Sequence, residues 1–126
     1  MRREVCVQYI RRCNDQKKLL VEAGLPGTTR IPNPLWQYTF VQDVEGQIGK
    51  LTKGQCTKVL VLNTIIGTLD DGKLVEAPDN QFLRGAPWPE VWTVNGCGTV
   101  YLVPMSNTPT DGGISTNINT KNFLKQ

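Results

Sequence analysis

The hydrophobic pattern is clearest from Trp88 to Pro104, where two strand-like runs flank a cysteine that stands between two glycines. In the first run apolar and polar residues alternate with period two, and Trp92 shares its phase with Val94. The second run is β-branched or aromatic almost throughout. Both patterns are typical of β-strands, so the segment predicts two strands joined at Cys97.

Two further stretches have strand-like patterns. Trp36, Tyr38 and Phe40 alternate with polar residues, which predicts a strand with one aromatic face. An apolar run within residues 59–66 has the length of a strand that is covered on both faces. A short helix over residues 47–62 is the alternative, but two glycines in that range disfavour it.

Turn residues divide the rest of this zone. The Asp-Gly pair at 71–72 predicts a type I′ hairpin between residues 64–69 and 73–77. The Asp-Gly-Gly triplet at 111–113 predicts a second turn, which leads into a last polar strand over residues 114–119.

The first residues have a helical period instead. Five side chains recur at spacings of three, four and seven, which places them on one face of a helix: Cys6, Tyr9, Ile10, Cys13 and Leu20. Gly24 can cap this helix, and Pro26 prevents its continuation. The pattern therefore predicts a helix over residues 3–24.

These elements fit one domain of 126 residues. The predicted order is a helix over 3–24, an extended proline-rich linker over 26–34, a β zone over 35–119 and a loose tail over 120–126. The predicted fold class is α+β, with an N-terminal helix packed on a mainly antiparallel sheet.

Four cysteines raise the question of disulfide pairing. On a continuous helix Cys6 and Cys13 would lie about 10 Å apart, whereas bridged Cα atoms lie within about 7 Å. These two can pair with each other only if the helix breaks at Asn14. A Cys56–Cys97 bridge would tie the two halves of the predicted sheet, and bridges from Cys6 or Cys13 to the sheet are the alternatives.

The amino-acid composition excludes several kinds of catalytic site and metal site. The chain has no histidine, so it lacks the imidazole base of Cys-His and Ser-His-Asp catalysis and the histidine ligands of many zinc sites. Its cysteines include no C-x-x-C pair of the kind that a zinc site with four cysteine ligands uses. Glu76, Asp79 and Glu90 are candidates for a hydrolytic carboxylate pair, but nothing in the sequence brings them into one cleft. We therefore predict no enzyme activity, no cofactor and no metal.

The charge is mildly basic and uneven. The net charge is +3, and residues 1–30 hold seven Lys or Arg against three Asp or Glu, which gives them +4. A nucleic-acid-binding domain usually shows a stronger basic stripe, so we predict protein partners or self-association and no nucleic acid. The basic side of the helix is either a solvated face or a contact strip for an acidic partner or lipid head groups. The candidates for partner contact are Arg3, Arg11, Lys18, Trp88, Phe123 and Leu124.

The cellular compartment has two interpretations. Residues 1–30 hold no apolar run of signal-peptide length, and no segment has the length of a membrane span. The protein is cytoplasmic if Met1 is its natural start. Four cysteines in a small β-rich chain instead favour an oxidising compartment. We favour a periplasmic or extracellular chain from which an export signal was removed.

The runs Glu90–Gly98, Tyr101–Pro104 and Gly112–Ser115 resemble the C-terminal half of small exported proteobacterial proteins of uncharacterised function. Their shared pattern is W-x-V-x-x-C-G, a strand that ends in Val-Pro, and a final hairpin that contains Gly-Gly. The likeness covers residues 86–118 and implies an envelope or extracellular location, with no catalytic residues to carry over. Some envelope machines, such as type IV secretion outer-membrane complexes, recruit small accessory domains of this kind.

The sequence thus favours a non-enzymatic structural or accessory subunit of a bacterial cell-envelope assembly, which acts by binding proteins. A virion or phage structural component is one alternative, because such proteins are also small and β-rich. A carboxylate-dependent hydrolase is another. Carboxylates clustered in a cleft would favour the hydrolase, whereas an exposed apolar patch or a free sheet edge would favour assembly.

Overall fold

The computed structural model describes residues 24–32, 34–78, 82 and 85–126. Positions 3–23 of the predicted N-terminal helix, with Cys6 and Cys13, lie outside these residues. The described part contains one α-helix, six strands and a 3-10 turn: α1 Pro34–Leu51, β1 Leu60–Asp70, β2 Lys73–Glu76, β3 Trp88–Gly96, β4 Thr99–Thr110, β5 Gly113–Ile118, the turn Thr120–Asn122 and β6 Leu124–Lys125.

The strands form one antiparallel sheet in the order β2-β1-β3-β4-β5, and β6 pairs with β4 beyond the end of β5. The core lies between α1 and one side of this sheet, which we call the helix face; Trp92 and Val94 point to it. The opposite side, to which Pro89 and Val91 point, is the outer face. The predicted class, α+β with a helix on an antiparallel sheet, is confirmed.

The strand predicted at Trp36, Tyr38 and Phe40 is wrong, because these residues belong to α1. Period two ends at Phe40, whereas the buried positions continue at helical spacing: Gln37, Phe40, Val41, Val44 and Ile48. Pro34 opens the helix at a position where a proline loses no hydrogen bond. The first strand therefore begins only at Leu60.

Gln37 ties α1 to the segment that precedes it. Its Oε1 accepts a hydrogen bond from the Leu25 N–H at 2.7 Å, and its Nε2 donates to the Ile31 carbonyl at 2.9 Å. Leu25 and Ile31 are themselves buried in the core. The linker predicted over residues 26–34 is thus held against the core and leads into a helix, not into a strand.

Two-residue turns join the long strands. Asp71 and Gly72 have φ values of 52° and 76°, so the predicted type I′ turn between β1 and β2 is confirmed. Cys97 and Gly98, with φ values of 52° and 95°, form the same kind of turn between β3 and β4. The Asn95 side chain supports this turn by accepting a hydrogen bond from the Gly98 N–H at 2.9 Å.

Cys97 is bonded to Cys56, which confirms the bridge proposed across the sheet, and their Cα atoms lie 5.9 Å apart. Neither of these two cysteines is therefore paired with Cys6 or Cys13. Cys56 follows the end of α1, where Thr52 Oγ1 accepts a hydrogen bond from its N–H at 2.9 Å. The bridge joins the exit of the helix to the β3–β4 turn and so fixes one end of the helix over the sheet.

The tail over residues 120–126, which was predicted to be loose, lies against β4. The turn Thr120–Asn122 brings β6 beside β4, and the Gln126 N–H donates to a β4 carbonyl at 2.9 Å. Phe123 packs edge-to-face on Tyr101, with 6.5 Å between the ring centroids. The prediction was wrong because strand pairing, which the polar composition of the tail does not reveal, holds it.

The double substitution C56S and C97S should lower the free energy of unfolding by about 4 kcal/mol. The bridge joins residues that are 41 positions apart, so its loss frees a long loop in the unfolded chain. Urea denaturation followed by tryptophan fluorescence measures the change. A loss below about 1 kcal/mol would contradict a stabilising role for the bridge.

Candidate functional site

Glu90 lies on the helix face and is fully buried. Its Oε1 accepts hydrogen bonds from Thr29 Oγ1 at 2.7 Å and from Trp92 Nε1 at 2.8 Å. Its Oε2 accepts from the Arg30 backbone N–H at 2.9 Å and from Trp88 Nε1 at 2.7 Å. Four donors match the accepting capacity of a carboxylate and offset the cost of burying it. Glu90 is therefore a structural anchor, with no lone pair left for acid or base catalysis.

The remaining carboxylates do not join Glu90 in a catalytic pair within the described residues. Glu76 is exposed at the end of β2, and Asp79 lies outside those residues. Burial raises the pKa of Asp43 on α1. Burial also raises the pKa of Glu45, against the opposing effects of the Val59 N–H, which donates to its Oε2 at 3.1 Å, and of a nearby lysine.

Trp88 was predicted to be an exposed partner contact, and this is wrong. The side chain is only 5% exposed and is the first residue of β3. Its indole N–H donates to Glu90, and the Arg30 guanidinium lies over its ring, 5.2 Å from the centroid. The signal was present in the sequence, since Trp88 shares the period-two phase of Trp92.

The segment before α1 also covers part of the outer edge of β1. The Thr28 N–H donates to the Thr64 carbonyl at 2.9 Å, and the Thr29 N–H donates to Thr64 Oγ1 at 3.0 Å. Thr64 Oγ1 in turn donates to the Pro26 carbonyl at 2.7 Å. Gly27 is required in this segment, because a Cβ there would overlap the Thr64 backbone.

On one side of the sheet centre, a proline ends the pairing of β1 with β3. The ladder stops at Ile66 and Glu90, and the next β3 residue is Pro89. Proline has no N–H to continue a ladder. Beyond this point β1 leaves β3 and continues as the hairpin with β2.

A second proline acts in the same way on the other side. The β4–β5 ladder ends at Met105 and Ile118, and the next β4 residue is Pro104. Pairing along this edge resumes only where Leu124 of β6 meets Leu102. Pro89 and Pro104, which lie in the two central strands, therefore end strand pairing on both sides of the same region of the outer face. We call the two segments that continue without this pairing, β1 from Gly67 and the chain that follows β5, the released strands.

A cleft of about 480 Å³ lies between the two released strands. Its floor holds Pro89, Pro104 and Ser106, and one wall is the stretch 67–69 of β1. The other wall carries three amide side chains: Asn117, Asn119 and Asn122. Glu90 also lines the cleft, but only with its backbone, because its carboxylate is bonded on the helix face. Among the described residues, no side chain that faces the cleft carries a charge.

The β1–β2 hairpin bends towards β6 and so closes one side of the cleft. Gly67 permits this bend, because a Cβ there would overlap the Val75 carbonyl of β2. At the hairpin tip, a Cβ on Gly72 would lie 3.5 Å from Leu124 Cδ2. The cleft is therefore shaped by backbone contacts between elements far apart in the sequence.

Asn107 is an unusual polar residue in the core. It is fully buried on the helix face, and neither its Oδ1 nor its Nδ2 has a hydrogen-bond partner among the residues that the structure describes. Thr116, directly across in β5, has a buried hydroxyl that is also unpaired. Neither residue lines the cleft, and burying an unpaired polar group costs free energy.

The other predicted contact residues are placed as follows. Phe123 and Leu124 are half-buried, and Phe123 packs against the core. Arg3, Arg11 and Lys18 lie outside the described residues. Of the candidates for partner contact that the structure describes, Trp88, Phe123 and Leu124, none lines the cleft.

No protein-family model, no curated protein and no solved structure matches this chain. In the ranges of the chain that the structure describes, no helix combines the length and hydropathy needed to cross a membrane. Nor do three His, Cys, Asp or Glu side chains come together in those ranges to hold a metal ion.

Glu90→Gln should lower the free energy of unfolding by about 3 kcal/mol. The amide group of glutamine would point N–H donors at the donors that now meet the carboxylate. Urea denaturation measures the effect. The control is Glu76→Gln, which changes an exposed carboxylate and should alter the free energy of unfolding by less than about 0.5 kcal/mol. Equal losses in the two variants would rule out the anchor.

Asn107→Leu should raise the free energy of unfolding by about 1–2 kcal/mol, because it replaces an unpaired buried amide with an apolar group of similar shape. Thermal denaturation measures the shift. A lower melting temperature than that of the wild type would show the expectation to be wrong.

Proposed function

We propose that this protein is a non-enzymatic structural or accessory subunit of a bacterial cell-envelope assembly, and that it acts by binding other proteins. The observation that carries the proposal is the outer edge of β2, which pairs with no other strand of the described residues. This strand is outermost in the sheet, and all four of its residues are exposed. Leu74 and Val75 expose 44% and 46% of their surfaces. Apolar side chains on an open edge are typical of a strand that pairs with another chain.

The backbone of β2 offers hydrogen bonds to a partner strand. In the β1–β2 hairpin the N–H and C=O groups of Lys73 and Val75 face β1. Those of Leu74 and Glu76 therefore face away from the sheet. Because successive side chains alternate between faces, a partner strand would meet Leu74 on one face and Val75 on the other. This is the arrangement used when an extended peptide adds to a sheet edge.

Two observations support an envelope location. Disulfides persist mainly in oxidising compartments, and the Cys56–Cys97 bridge ties two parts of this fold. The pattern W-x-V-x-x-C-G, which includes Cys97, resembles that of exported proteobacterial proteins. An outer-membrane complex of a secretion system is an assembly of the proposed kind.

The photo-reactive residue p-benzoylphenylalanine, placed at position 74, should form discrete adducts with a partner protein in bacterial envelope fractions. Val75→Lys in the same chain should reduce the adduct yield about tenfold, because a charge on an edge strand opposes pairing. The matched control is the same photo-reactive residue in place of Leu51, which is 44% exposed at the end of α1.

This control should give no discrete adduct. The proposal fails if position 74 yields no adduct, or if positions 51 and 74 yield the same ones. Circular dichroism of each variant checks that the fold is intact, so that a lost adduct reports the edge itself.

A further inference from the structure

We infer that the cleft between the released strands is a second binding site, which takes an extended, uncharged stretch of polypeptide as a strand added to the inner edge of β1. This site is separate from the β2 edge and does not depend on the function proposed for it. Three features of the cleft support this assignment: the direction of the backbone groups in β1, the chemistry of the opposite wall, and the lack of charge on its described side chains.

The first feature is the direction in which the backbone groups of β1 point. The Ala77 N–H donates to the Ile66 carbonyl at 2.8 Å, so the backbone groups of Ile66 face β2. Because this direction alternates along a strand, those of Gly67 and Leu69 face the opposite edge, into the cleft. Earlier in β1 that edge pairs with β3, but the ladder ends where Pro89 offers no N–H. The Gly67–Leu69 edge is thus a continuation of the sheet that β3 does not cover.

The second feature is the chemistry of the opposite wall of the cleft, which carries amide side chains. Asn117 and Asn122 present exposed amides, which donate and accept hydrogen bonds as peptide groups do. The Oδ1 of Asn119 already accepts a hydrogen bond from the Lys121 N–H at 2.9 Å. A strand seated on β1 would therefore meet amides on its other edge that can bond its own N–H and C=O groups.

The third feature is the lack of charge on the described side chains that face the cleft. The side chains that face the cleft from the described part of the chain are neutral, so a charged ligand would be desolvated there without an ionic partner from these residues. The floor of Pro89, Pro104 and Ser106 contains no aromatic ring on which a sugar could stack. A volume of about 480 Å³ lies within the usual range of ligand sites. A neutral, extended peptide satisfies each of these conditions.

The test uses the peptide acetyl-Thr-Val-Thr-Val-Thr-amide and the full 15N-labelled chain. Its addition should shift the amide signals of Gly67 and Leu69 and the side-chain signal of Asn117 in a saturable way, with a Kd below about 1 mM. The same peptide N-methylated at its central residue should bind at least about tenfold more weakly, because it lacks a backbone donor.

Ser106→Arg should weaken binding at least about tenfold, because it places a charged side chain on the floor of the cleft. Thr108→Arg is the matched control: it is exposed on the same strand and the same face, but it does not line the cleft. It should change Kd less than about twofold. Val75→Lys, whose side chain points to the face opposite that of Leu74, should likewise leave peptide binding unchanged, which separates this site from the β2 edge.

The inference is overturned if the peptide gives no saturable shift, or if the N-methylated peptide binds equally well. It is also overturned if the two arginine variants behave alike. Saturable binding of the N-acetylglucosamine trisaccharide at the same signals, without peptide binding, would assign the cleft to a neutral carbohydrate instead. None of these results affects the crosslinking test at position 74.

Discussion

The fold depends on how one buried negative charge is satisfied. The Glu90 carboxylate has two partners on its own strand, the indoles of Trp88 and Trp92, and two in the segment before the helix, Thr29 and Arg30. A carboxylate in the core is stable only while such donors remain. The entering chain must therefore lie across β3 at this point. Because α1 begins only a few residues later, the same contact limits where the helix crosses the sheet.

Two prolines have the opposite effect to Glu90: they do not hold segments together but prevent neighbouring strands from pairing. Pro89 and Pro104 stand in the central strands, where a proline interrupts a ladder. At Pro89 strand β1 departs from β3, and this single departure produces both candidate binding surfaces. One edge of the departing strand carries β2, whose far side is open. The other edge faces the cleft. The two surfaces are thus the two sides of one hairpin that has left the main sheet.

Local requirements explain what could be predicted. The type I′ turn at residues 71–72 needs positive φ values, which its Asp-Gly sequence favours. The alternation in β3 reflects its two faces, and the Cys56–Cys97 bridge was one of the pairings that the sequence left open. The helix at 34–51 was missed, because three aromatic residues two positions apart imitate a strand before the helical spacing becomes visible.

The sequence by itself determined the Asp-Gly turn and most of the strands, because each depends on residues that are near neighbours or on simple periodicity. The choice of Cys56–Cys97 among the possible bridges was decided by the tertiary structure, because these cysteines are 41 positions apart. The period-two phase of Trp88 indicated which face of β3 it shares with Trp92, but the tertiary structure decided that it is buried, since this requires Glu90 and the segment at 29–30 to meet around it. The cleft was likewise absent from the sequence-based predictions, although a proline inside a strand pattern was a signal for it. Its walls come from β1 and from residues 117–122, which are far apart in the chain. Local patterns carry no information on which distant strands are released from the same sheet, so long-range pairing alone formed this site.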